Sequence, residues 1–132
     1  MSRIQVNGIE IEYREIGKRD DPMLLLVSGF STQMISWPEA YLEGLAAAGR
    51  RVVIFDNRDI GLSTEFTNEV PPAPGDIIRG LSEGKDMSKE VPYILDDMAA
   101  DAAALITALG ADKADVMGNS MGGMIVQLIA LN

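Results

Sequence analysis

Residues 113–131 constrain the fold of this chain more tightly than any other segment. Lys113 to Met117 reads as a short strand, Gly118-Asn119-Ser120-Met121-Gly122 spells G-x-S-x-G, and an apolar, helix-like run follows to Leu131. Strand, sharp turn and helix is the context in which this pattern makes a nucleophile elbow. Gly118 and Gly122 let the backbone turn tightly and let neighbouring elements approach where a Cβ would clash. Ser120 is then the candidate nucleophile, its hydroxyl exposed above a helix N-terminus. The competing reading is a serine that only caps the helix. A serine hydroxyl needs a base to become a useful nucleophile, and the chain contains no histidine.

The remaining sequence surrounds that unit with alternating strands and helices. Ile4 and Val6, then Ile9, Ile11 and Tyr13, alternate with polar residues on either side of Asn7-Gly8, which predicts a β-hairpin with a type I′ turn. Met23–Val27 and Val52–Phe55 are continuous apolar runs, as expected of strands covered on both faces. Ser36-Trp37-Pro38-Glu39 predicts a capping box with proline in the first turn, opening a helix that turns Tyr41, Leu42, Leu45 and Ala46 inward and ends at Gly49. Residues 66–91 carry prolines, glycines and charges, and predict a long excursion with one short helix. A helix from Pro92 follows the 3.6-residue period through Met98, Ala102, Leu105 and Leu109, and ends at Gly110. The predicted class is α/β: a mostly parallel sheet with an N-terminal antiparallel hairpin and helices on both faces.

Four blocks in order and spacing resemble the N-terminal half of an α/β-hydrolase: LLLVSGFSTQMISWP, RVVIFDNRDIGLST, VPYILDDMAADAAALITALG and DVMGNSMGGMIVQ. The esterase branch that includes aclacinomycin methylesterase-like enzymes is the most similar. The resemblance implies a strand order of 1-2-4-3-5 and an oxyanion loop after the third strand. It also implies oxyanion donors at the backbone N–H groups of Met121 and Phe30, suited to acyl transfer. Many family members have His-Gly where this chain has Ser28-Gly29. Asp115 is a poor strand residue in the strand before the elbow.

The expected activity is carboxylic-ester hydrolysis through an acyl-enzyme on Ser120, with a small-molecule ester as substrate. Carbon–carbon bond hydrolysis and perhydrolysis on the same scaffold are alternatives, as is a non-catalytic association module. Relatives that hydrolyse epoxides or dehalogenate carry Asp at the elbow, which disfavours those reactions here. In the serine hydrolases of the family the chain order is Ser, then Asp or Glu, then His. Residues 1–132 are therefore expected to form an incomplete domain, inactive or very weak alone. Its fifth-strand edge would pair with a missing C-terminal half or with another copy.

Asp56, Asn57, Arg58 and Asp59 are read as a structural turn, with Arg58 a local brace. Asp96, Asp97 and Asp101 are read as the solvated face of their helix. The methionines Met87, Met98, Met117, Met121 and Met124 are read mainly as core filling, with an apolar substrate pocket as the alternative. No cofactor is called for, and the carboxylates show no metal-ligand spacing. The net charge of −9 argues against nucleic acid. The apolar runs are too short for a membrane span. The lack of cysteine and of a visible signal peptide leads to an expected cytoplasmic location.

Overall fold

A computed structural model of the chain describes residues 1–67 and 70–132. Asn7 and Gly8 both take positive φ, at 50° and 78°. This is the turn a right-twisted hairpin needs, and it folds β1 (Ser2–Val6) back on β2 (Ile9–Ile16) in antiparallel register, Val6 opposite Ile9. β2 pairs antiparallel with β4 (Arg51–Phe55). β3 (Met23–Val27) lies parallel between β4 and β5 (Ala114–Gly118), giving the order β1-β2-β4-β3-β5. All five residues of β3 and of β4 are buried, as expected of their apolar runs Met23–Val27 and Val52–Phe55, and the one charged member, Arg51, is bonded to Glu15 and the Leu109 carbonyl.

The helices cover both faces. α1 (Glu39–Ala47) packs on one, where Leu24, Leu26, Met34, Leu42, Val52 and Ile54 form a cluster. α3 (Leu95–Ala108) and α4 (Met121–Leu131) pack on the other, over Ile11, Leu25, Val27, Val53 and Phe55. Between β4 and α3 lie α2 (Pro74–Ser82) and a short 3-10 turn at Met87–Lys89. The predicted excursion thus holds a helix, while its residues 68 and 69 lie outside those described.

Several local expectations are corrected. The Ser36–Glu39 capping box does not form. Met34–Ser36 is a 3-10 turn, Pro38 occupies the cap position of α1, and no side chain caps it. The Ser36 N–H, the donor such a box would give Glu39, goes to the Gln33 carbonyl at 3.0 Å, and the Glu39 carboxylate takes both guanidinium nitrogens of Arg14 at 2.8 and 2.6 Å. That fork holds the Glu39 carboxyl below its ordinary pKa. In α1 only Leu42 is fully buried, whereas Tyr41 stays exposed. The helix after the excursion begins at Leu95, three residues beyond Pro92, where the Asp97 carboxylate accepts the Ile94 N–H at 2.8 Å. β5 runs Ala114–Gly118, leaving Lys113 outside it. Its unsuited Asp115 sits exposed and takes an ion pair from Arg50 at 2.6 Å.

Candidate active site

The elbow is a type II′ turn built from Asn119 to Gly122. The Gly122 N–H donates to the Asn119 carbonyl at 2.9 Å, and Ser120 sits at φ 56° and ψ −120°. Those angles belong to the first central residue of a II′ turn, where glycine is usual and a side chain is strained. The fold imposes the strain through close packing. A Cβ on Gly118 would overlap the Gly122 carbonyl, and a Cβ on Gly122 would overlap the carbonyl oxygen of Val27. Both positions must therefore be glycine for β5 and α4 to meet the end of β3. The Asn119 N–H donates to the Val27 carbonyl at 3.2 Å and continues the sheet into the turn.

Ser120 is exposed, and its side chain makes no capping bond to α4. The first turn of α4 contains no acidic residue, so its N-terminal dipole is not neutralised from within the helix. A Cβ on Gly29 would lie 3.3 Å from the Ser120 Cβ and 3.1 Å from the Asn119 oxygen. The loop after β3 therefore passes directly beside the elbow. Within it Ser31 takes a positive φ of 58°, and Phe30 is 77% exposed. The first residue of a helix has no intrahelical acceptor for its N–H. Among the described hydrogen bonds, neither the Met121 N–H nor the Phe30 N–H is donated to another group. Ser28, directly after β3, is buried. Its hydroxyl accepts the Trp37 indole N–H at 3.1 Å, while its carbonyl accepts the Asn57 side-chain amide at 3.2 Å. The loop after β3 is thus braced by Trp37 and Asn57.

Two recesses flank the elbow. A cleft of about 160 Å³ includes Gly29, Thr32, Trp37 and Asn119. A larger cavity of about 610 Å³ is bounded by Phe30, Arg58, Asp59, Tyr93, Met98 and Met121, among others. Met98 and Met121 therefore border a pocket. Met87 packs on Gly80, Met117 joins the cluster beneath α1, and Met124 is exposed.

The expectation of a solvated Asp101 is overturned. Asp101 is 2% exposed and grips Arg58 with two bonds of 2.7 Å, and it also accepts the Asn7 side-chain amide at 2.8 Å. The Arg58 guanidinium carbon lies 4.9 Å from the centroids of both Phe66 and Tyr93. Burial alone would lower the Arg58 pKa, but the Asp101 bonds and charge outweigh it and raise it. Burial, and then the 2.6 Å bond its hydroxyl donates to Asp59, push the Tyr93 phenol up to about 12. Asp56 and Asn57 do act structurally. The Asp56 carboxylate accepts the N–H groups of Met34 and Leu62. Arg58 is a brace, as read, but between three segments rather than within one turn. The missed signal was helical phase: Asp101 falls on the same stripe as Met98, Ala102 and Leu105, all buried.

The profile of the alpha/beta hydrolase fold family matches residues 22–132. Rhodomycin D methylesterase DauP of Streptomyces sp. (strain C5) is 34% identical over 117 residues, which are 89% of this chain and 33% of that protein. An alpha/beta hydrolase fold protein from Chitinophaga pinensis superposes with a TM-score of 0.71 at 32% identity, covering 98% of this chain and 38% of that one. Epoxide hydrolase A from Mycobacterium thermoresistibile gives a TM-score of 0.70 at 27% identity over 95% of this chain and 32% of its own. The chain spans about a third of the length of these relatives. No described helix is long and apolar enough to cross a membrane. Matched in sequence over most of its length and in fold over nearly all of it, the chain belongs to the alpha/beta hydrolase fold family.

Proposed function

We propose that this chain is the nucleophile-bearing part of a serine carboxylic-ester hydrolase. The observation that carries this reading is Ser120, an exposed hydroxyl held at positive φ on a II′ turn above an α-helix N-terminus. Attack of its oxygen on an ester carbonyl forms a tetrahedral oxyanion. The undonated N–H groups of Met121 and Phe30 are the donors proposed for it. Collapse expels the alcohol and leaves an acyl-enzyme, which water then hydrolyses to the acid.

The residue type favours esters over epoxides. Epoxide opening by a serine would leave an ether, which water cannot cleave at a carbonyl, whereas opening by a carboxylate leaves a hydrolysable ester. The similarity to a methylesterase agrees with this choice. The base that removes the Ser120 proton is supplied from outside these residues, since the chain has no histidine. The entry point proposed for that second piece is the outer edge of β5 with the neighbouring face of α4. Among the described residues that edge has no strand partner, and α4 buries only Gly122 and Ile125 while exposing Met124 and Leu131.

A fluorophosphonate probe read by intact mass tests the reading, with Ser120→Ala alongside. Labelling of a folded chain that disappears in the variant is the expected result when the complementing piece is present. Its failure on the complemented protein would remove Ser120 as nucleophile.

A further inference from the structure

The larger cavity beside the elbow is apolar along most of its wall, and all its charge sits on one side. Arg58 and Asp59 line it, with Asp101 directly behind Arg58. Asp101 pairs with Arg58, so the Asp59 carboxylate has no cation of its own among the described residues that line the cavity. Among the described residues that line the cavity, Arg58 is the sole cation, and its guanidinium is forked onto Asp101 and packed against Phe66 and Tyr93. It is not free to receive an anion. Asp59 is held in place by the Phe66 N–H on one oxygen and the Tyr93 hydroxyl on the other, each at 2.6 Å. The N-terminus of α3 also borders the cavity through Ile94 and Leu95, and would otherwise attract negative charge. There the Asp97 carboxylate already takes the Ile94 N–H, and Asp96 stands beside it in the first turn.

We infer that this wall, with Asp59 as its determinant, selects substrates by charge: it binds uncharged esters in preference to esters that carry a second, remote carboxylate. The inference rests on the ester reading above for the identity of the reacting group, but it concerns binding and not turnover. Its chemical consequence is directional. A neutral diester is favoured, while a product that places a carboxylate in this cavity is held more weakly and leaves sooner. Repulsion between unit charges about 8 Å apart at an effective dielectric of about 40 corresponds to about a six-fold loss of affinity.

The test uses the 132-residue chain with its methionine methyl groups labelled with carbon-13, since Met98 and Met121 line the cavity. Dimethyl isophthalate and monomethyl isophthalate are titrated in turn, a pair of matched shape differing in one remote charge. The expected result is a shift of the Met98 and Met121 signals with the diester. The monoester binds about six-fold more weakly at low salt, and the gap narrows at high salt as the Debye length shrinks. Asp59→Asn should close the gap. Asparagine tolerates the left-handed backbone that Asp59 adopts at φ 65°, so the variant keeps the loop. Equal or tighter binding of the monoester by the unaltered chain would overturn the inference. So would an unchanged gap in Asp59→Asn, or no shift of either methionine with the diester. Ser120→Ala should leave the gap intact. A retained gap without probe labelling of the complemented protein would sink the ester reading and leave the filter standing.

Discussion

Replacing Ser120 by glycine should stabilise the fold even though it removes the residue on which the proposed chemistry depends. Ser120 holds φ 56° and ψ −120°, a conformation that costs a non-glycine residue about 1–3 kcal/mol. The side chain is exposed and makes no capping bond, so its removal sacrifices no burial and no hydrogen bond. Glycine returns about 0.4–1 kcal/mol of that gain through its greater freedom in the unfolded chain. The net expectation is a stabilisation of about 1 kcal/mol, equivalent to a rise of about 3–6 °C in Tm for a chain of this size. Ser120→Ala is the necessary control. It deletes the same hydroxyl but keeps the Cβ and therefore the strain, so its stability should stay within about 0.5 kcal/mol of the parent. Urea unfolding followed by circular dichroism measures both. If the glycine variant is no more stable than the alanine variant, the strain is not stored at this turn and the structural argument for the elbow fails.

Three other perturbations have defined outcomes. Asp101→Ala leaves the Arg58 guanidinium buried without its partner and should cost about 3 kcal/mol in urea unfolding, whereas Arg58→Met combined with Asp101→Leu should recover most of that loss. Tyr93 should ionise near pH 12 in an ultraviolet titration. Because its folded pKa is raised above the ordinary 10.0, its contribution to stability is complete below about pH 10 and disappears as the pH rises towards 12, and Tyr93→Phe should abolish that late step. Ser36→Ala should change stability by less than about 0.5 kcal/mol, because Ser36 caps no helix; a loss near 1 kcal/mol would restore the capping box.

Much of this architecture was legible because it follows from local chemistry. Asn7-Gly8 can form a I′ turn without strain, continuous apolar runs such as Met23–Val27 have to be covered on both faces, and glycines at positions 118 and 122 permit a turn that other residues forbid. The failures share a physical form. At Ser36 a valid local motif lost to its surroundings, because Arg14, twenty-five residues away, offered the Glu39 carboxylate a bidentate partner that the helix start could not match. Asp101 was hidden because a carboxylate on a helix is normally solvated, and only a partner from another segment can make its burial tolerable.

The sequence by itself therefore determined the elements, their order and the identity of the serine at the elbow, since each depends on backbone freedom and hydrophobic period over a few residues. The tertiary structure alone decided which charges face one another. It set Arg58 between Asp101, Phe66 and Tyr93, and placed Asp59 on the rim of a cavity reached from the elbow. Electrostatic energy depends on distance and burial, and neither is fixed until β4, the loop after it and α3 have packed together.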